Sequence, residues 1–229
     1  MYSSKNNQIG VSVDCCVFSL IDKKLNVLLS KRKVLKEDHE WSLPGDFLRP
    51  EENLKESAKR ILGEMAGIEN LYTEQVKTFG NVNRYPKERV VTVSYYALIN
   101  PEDYKSLAYH SSVEKTQWFP VREIPELALD HGSILESAID TLKKRIRVAP
   151  IGIRLLSKKF TLTQLQHIYE GILETDLDVR NFRKKLLKLD FLEKLDEKET
   201  NVAHRRANLY SFDETRYKKL LEGGFYFDL

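Results

Sequence analysis

The chain has 229 residues, 37 Lys and Arg against 34 Asp and Glu, and a net charge of +3, with 41% hydrophobic and 10% aromatic residues. Such a chain can bury real cores, so a disordered tail is excluded, and 10 Gly and 7 Pro exclude collagen-like and low-complexity classes. The adjacent pair Cys15 and Cys16 cannot form a disulfide framework or a zinc site alone, and neither a basic-then-apolar leader nor a membrane-length apolar run is visible; the chain reads as one or two cytoplasmic domains.

Val11–Leu20 and Leu25–Ser30 flank the polar turn Asp22-Lys23-Lys24 and predict a hairpin. Trp41-Ser42-Leu43-Pro44-Gly45 reads as a loop. In Asn53–Ala66, Leu54, Ala58, Ile61, Leu62 and Met65 recur at helical spacing, and Gly67 is placed to end that helix. Strands are expected around Glu74–Phe79, Arg89–Ile99 and Gln117–Phe119, then a helix over Gly132–Arg147. Past Pro150 the character changes: a short helix at Ile151–Lys159, a helix at Leu162–Leu173 with Thr163 and Gln166 as a capping box, and a helix at Asp178–Leu189 capped by Asp178. Phe191–Leu195, a polar loop Asp196–Asn201 and Ala207–Phe212 then make a strand, a loop and a strand. Helix, helix, hairpin is the order of a winged helix. The domains are read as 1–150 and 151–229.

Gly45, Glu52, Arg60, Glu64 and Gly67 resemble the Nudix box, G-x5-E-x7-R-E-U-x-E-E-x-G-U, whose helix holds divalent cations on a diphosphate substrate through glutamates one turn apart. The spacing fits from Glu52 to Ile68, but Gly45 stands one residue too far from Glu52. The Glu expected after Arg60 is Ile61, and the second Glu of the E-E pair is Met65. Neither supplies the hard oxygen that Mg2+ requires. Metal-dependent hydrolysis at the usual site is therefore not expected: no catalytic residue, metal ligand or cofactor is assigned. The enzyme alternative is a hydrolase whose displaced metal site uses Glu51, Glu52 and Glu64.

Further motifs extend the resemblance over nearly the whole chain. They are Trp41–Gly45, Arg84 with Pro86 before Arg89-Val90-Val91, Leu129-Asp130-His131, Phe160–Gln166, Asp178–Leu186 and His204–Tyr210. A Nudix-like α/β/α sandwich followed by a winged helix-turn-helix resembles the Nudix-related transcriptional regulators, the NrtR-type repressors. The resemblance implies an α+β chain acting as a homodimer on a palindromic double-stranded DNA operator, its Nudix-like domain supplying the dimer interface and binding an effector.

Charge patterning agrees. Thr141–Phe160 carries seven cations and no acid, and Arg180–Leu189 carries five; such clustering, not net charge, marks a nucleic-acid surface. On the helix after Asp178, Phe182, Leu186 and Leu189 are read as core. Arg180 and Asn181 are candidates for base edges, and Arg183, Lys184 and Lys188 complete the helix's DNA face. His204, Arg205 and Arg206 fall on the wing. A solvated basic helix, or an adaptor docking RNA or protein, would carry the same charges without preferring duplex DNA.

Candidate effector residues are Asp14, Lys31, Trp41, Asp46, Arg84, Tyr85 and Arg89. The bland readings are Asp14 capping a turn or pairing with Lys31, Trp41 anchoring the core or a loop, and His131 capping or packing at the start of its helix. The family's ligands include ADP-ribose-type nucleotides, and a sugar-responsive branch answers to L-arabinose. Loss of the metal ligands, with Asp46 where the family has Gly, favours the neutral sugar: a carboxylate repels phosphate and accepts hydrogen bonds from hydroxyls. Arg84 and Arg89 favour the alternative, ADP-ribose, because arginines suit phosphates.

Overall fold

β1 (Gly10–Ile21) organises the sheet of this computed structural model, which describes residues 9–31, 41–66, 72–100, 115–200, 206–224 and 227. β2 (Lys24–Lys31) follows after Asp22 and Lys23, both at positive φ, the backbone that a two-residue hairpin turn demands. β6 (Val90–Leu98) runs parallel to β1 from Gly10↔Val90 to Phe18↔Leu98, with β5 (Tyr72–Phe79) antiparallel outside it. β7 (Lys115–Pro120) pairs antiparallel with β2. Where a loop was expected, two short strands stand around Leu43-Pro44: β3 (Trp41–Ser42) on β2 and β4 (Gly45–Phe47) on β1. Only two residues separate them, too few for sequence periodicity to register either.

Alternation along β1 divides its side chains between two faces. Val13, Cys15 and Val17 pack with Ala58, Ile61 and Leu62 of α1 (Leu54–Ala66) in one core. The even face buries Asp14, Cys16 and Phe18, and α2 (His131–Val148) begins there, His131 beside Asp14. Asn53 caps α1: its side-chain oxygen accepts from the amides of Lys55 and Glu56, while Glu56 accepts from the Asn53 amide. Gly67, the expected end of α1, lies outside the described residues.

Two compact units result, one built on most of the sheet, α1 and α2 as far as Thr141, the other on Leu142 and the residues after it together with the Leu20–Leu25 turn and Asn100. The second opens with a 3-10 turn over Ile151–Leu155, then α3 (Leu162–Leu173) and α4 (Val179–Leu186). Its capping box is Thr161 with Gln164, not Thr163 with Gln166. The motif T-x-x-Q occurs in both registers, and only Thr161 has the extended backbone of a cap. Glu170 accepts from Gln166 and from the Leu177 amide and so ties down the turn between the helices. β8 (Leu192–Lys198) and β9 (Asn208–Phe212) form the hairpin, and Phe160 adds a third strand's bridge through two hydrogen bonds with Tyr210. A final helix, α5 (Glu214–Glu222), has no counterpart in the sequence reading. Among the described residues no helix is long and apolar enough to cross a membrane.

Candidate functional site

On the even face of β1, Asp14 opposes Gly45 of β4, where a Cβ would lie 2.0 Å from Asp14 Oδ1. Only glycine admits the carboxylate here. Thr92 Oγ1 donates to Asp14 Oδ2 at 2.7 Å, and Arg84 Nη2 reaches the same oxygen at 3.5 Å. Arg84 also donates twice to Asp130, at 2.9 and 2.8 Å, with its side chain only 3% exposed. His131 Nδ1 accepts from the Leu43 amide at 3.0 Å, which makes Nε2, 3.8 Å from Asp14 Oδ1, the protonated nitrogen of a neutral ring. Asp14 therefore pairs with Arg84 and Thr92.

A second cluster centres on Arg60 of α1. Its guanidinium donates to Glu52 at 2.9 and 2.7 Å, to Asp46 at 3.0 Å, to Glu64 at 3.3 Å and to the Phe47 carbonyl at 3.0 Å. Arg49 adds its own bond to Glu64 and an amide bond to Glu52. Arg60 holds the Glu52 carboxyl down to about 2, and the surrounding carboxylates in turn raise the Arg60 pKa. Ile61, at the position where the box carries a ligand, is fully buried in the core. These residues fit a divalent cation poorly, because Ile61 and Met65 bring no oxygen and Arg60 already neutralises Asp46, Glu52 and Glu64. The displaced site of Glu51, Glu52 and Glu64 meets the same obstacle at Glu52 and Glu64. Asp46 is likewise engaged, so its charge is not left to repel a phosphate, and that argument for a neutral sugar falls.

The remaining effector candidates make contacts of their own. Trp41 lays its ring edge-to-face on Phe119 at 4.8 Å, and its carbonyl accepts from the Ala128 amide. Lys31 pairs with Trp41 and Lys115 in the strand register. Tyr85 meets Phe47 edge-to-face at 6.4 Å. Arg89 donates to the carbonyls of Gly80 and Asn81, both at 2.8 Å. Sequence reasoning missed Thr92 and Phe47; both stand within five residues of box or strand motifs, but nothing in their spacing marks them.

In the second unit, α4 turns Phe182 and Leu186 inward and leaves Arg180, Asn181, Arg183, Lys184 and Lys185 exposed. Lys188 is exposed just beyond its end. Among the described residues, Arg180, Lys184, Lys185 and Lys188 have no acidic partner. Asp178 caps the helix by accepting from the Asn181 amide at 2.7 Å. Arg183 donates to Thr163 Oγ1 at 2.8 Å. With Thr161, Gln164, Lys198 and Arg206 these two line an open groove of about 570 Å³ between the helices and the hairpin. His204 and Arg205 lie outside the described residues. The cationic run before Phe160 is less open than its sequence suggests: Lys143 binds Glu174 at 2.6 Å, Arg154 binds Glu214 at 2.9 Å and Lys159 binds Glu197 at 2.7 Å. Their partners lie far along the chain, so the run looks unneutralised only in linear sequence.

Comparison with known proteins gives the same two parts. The NUDIX domain model matches residues 10–138, and the NrtR DNA-binding winged helix domain model matches residues 152–212. The ADPR responsive transcriptional repressor NtrR of Acinetobacter baylyi is 36% identical over 207 residues, covering 88% of this chain and 81% of that protein. The crystal structure of Shewanella oneidensis NrtR complexed with a 27mer DNA superposes with a TM-score of 0.79 at 29% identity, covering 96% of this chain and 99% of that one. The NUDIX domain of the same Shewanella protein complexed with ADP ribose gives 0.51 at 31% identity, covering 62% of this chain and 94% of that one. These relatives support the ADP-ribose alternative and lend none to L-arabinose.

Proposed function

Because the chain belongs to the NrtR-type, Nudix-related transcriptional regulators, we propose that it is a DNA-binding repressor whose Nudix unit binds ADP-ribose and thereby controls operator binding by the winged helix. The observation that carries this reading is the division of α4: Phe182 and Leu186 buried, Arg180, Asn181 and Lys184 exposed, and no acid among the described residues pairing with the cations. A recognition helix requires that division to pack on one side and enter a major groove on the other. Arg180 and Asn181, in its first turn, read base edges. Lys184, Lys185, Lys188 and Arg206 meet phosphates. The protein acts in the cytoplasm as a homodimer on a palindromic site, each protomer supplying one α4.

The effector works by differential affinity. A hundredfold loss of operator affinity needs about 2.7 kcal/mol of coupling, and DNA must then weaken ADP-ribose binding by the same factor. α2 is the covalent route, since its first residue shares the Asp14 network and its last turn belongs to the second unit. Hydrolysis is not part of this reading, because Glu52 and Glu64 are committed to Arg60.

A mobility-shift assay on the gene's own upstream duplex tests it. Specific binding released by ADP-ribose and untouched by L-arabinose is the expected result. Absence of specific binding at low salt would reject the repressor, and release by L-arabinose alone would reject the effector.

A further inference from the structure

We infer that Val179, the first residue of α4, reads the C5-methyl group of a thymine in the operator. The inference rests on the repressor reading and names one base that the helix selects. Val179 is 47% exposed, while Phe182 and Leu186, the apolar residues that follow it on the packed side, are 5% and 1% exposed. The first turn of a helix favours acidic side chains, which complement its dipole, and β-branched residues are weak helix formers. Neither propensity nor the dipole therefore accounts for a valine here. Arg180 and Asn181 follow it on the same exposed turn, and Arg180 and Lys184 pair with no acid among the described residues. The apolar spot is thus continuous with the cationic surface of α4, and a polymer of phosphates is the partner that this charge suits.

That turn is held in place from two directions. Asp178 accepts from the Asn181 amide through its carboxylate at 2.7 Å and from the Phe182 amide through its carbonyl at 2.9 Å. One turn after Val179, Arg183 donates to Thr163 Oγ1 of α3 at 2.8 Å. Val179 adds its own stiffness, since a β-branched side chain keeps one strongly preferred rotamer in a helix. Its methyl groups are therefore fixed at the end of the helix whose residues contact base edges in a helix-turn-helix. Chemistry then selects the base. Guanine, adenine and cytosine present hydrogen-bonding groups on the major-groove edge, and thymine alone adds a methyl group. A valine side chain has neither donor nor acceptor and cannot satisfy the first three. It can cover a methyl, and in doing so removes its own apolar surface from water. The thymine stands beside the base pair that Arg180 reads, because the two residues are neighbours on one turn.

A mobility-shift titration of the full chain on its operator tests the assignment, with thymidines replaced one at a time by deoxyuridine, which pairs identically but lacks the methyl. At one position in a half-site the wild type should bind about fourfold more weakly, the loss of one buried methyl. Val179→Ala should weaken the unmodified operator by a similar factor and respond to that deoxyuridine by less than about twofold, since the two changes remove the same contact. Leu187→Ala is the control: Leu187 is 59% exposed but stands about 12 Å further along the helix axis, so this variant should keep the wild-type response. If deoxyuridine weakens no position, if Val179→Ala responds as the wild type does, or if Leu187→Ala loses the response as well, the contact is wrong and the repressor reading stands. If the wild type binds no operator specifically at low salt, both fall.

Discussion

Arg84 and Asp130 meet through two parallel hydrogen bonds, 2.9 and 2.8 Å long, that join the β5–β6 connection to the residue preceding α2. The arginine is almost wholly buried while Asp130 keeps 23% of its side chain exposed. Removing Asp130 leaves the buried guanidinium with only the 3.5 Å contact to Asp14, which costs more than the pair contributes. Asp130→Asn should therefore lose about 3 kcal/mol, and calorimetry should show the transition of the first unit falling on the order of 10 °C. Arg84→Lys keeps the charge but loses the fork, and should fall between the variant and the wild type. A Tm unchanged in Asp130→Asn would show the pair to be dispensable.

The Glu52–Arg60 pair makes a pH prediction. Arg60's hydrogen bonds hold the Glu52 carboxyl at about 2 in the folded chain, against an ordinary 4.5. A depressed carboxyl stabilises the fold above its unfolded pKa and loses that contribution as pH falls through the folded one. The window is thus from about pH 4.5 down to about pH 2. Urea midpoints followed across it should drop more steeply for wild type than for Glu52→Gln. Parallel curves would remove Glu52 from the acid-side response.

DNA binding should separate two kinds of residue on α4. Lys184→Ala should weaken every duplex alike and lower the slope of log K against log salt by about one. Arg180→Ala should cost about 1–3 kcal/mol on the operator and much less on unrelated DNA. The measurement is a salt titration of both variants on operator and scrambled duplexes. Equal losses on the two duplexes for Arg180→Ala would make it a phosphate contact.

Asp178 supports that surface from outside it. Its carboxylate accepts from the Asn181 amide, and the helix it caps has only eight residues. Asp178→Ala should cost about 1 kcal/mol and fray the first turn, where Arg180 and Asn181 sit. Operator affinity should fall accordingly, and Asp178→Asn, an equally good cap, should restore it. Failure of Asn to rescue would mean that the charge, not the cap, matters.

Much of the architecture was legible because it is periodic. Leu162–Leu173 emerges with the bounds expected, since Leu165, Ile168, Tyr169 and Ile172 recur on one buried face. α5 escaped because it buries none of its residues and so has no apolar stripe, although Asp213 at its start is an ordinary cap. The site was harder to read. Asp14, Arg84 and Asp130 are 70 and 46 positions apart along their hydrogen bonds, and no local spacing encodes that meeting. Asp46 was visible as a departure from the family's glycine, but its pairing with Arg60, 14 residues on, decides what its charge can do. The same blindness made the run that holds Lys143, Arg154 and Lys159 look unneutralised.

Arg60 gathers Asp46, Glu52 and Glu64 on one side chain. A soluble ion in that place would obey mass action, filling when the ion is plentiful and emptying before a chelator. A counter-ion built into the chain cannot leave, and its local concentration is fixed by the backbone that carries it. The three carboxylates beside α1 thus carry their counter-charge with them wherever the chain goes.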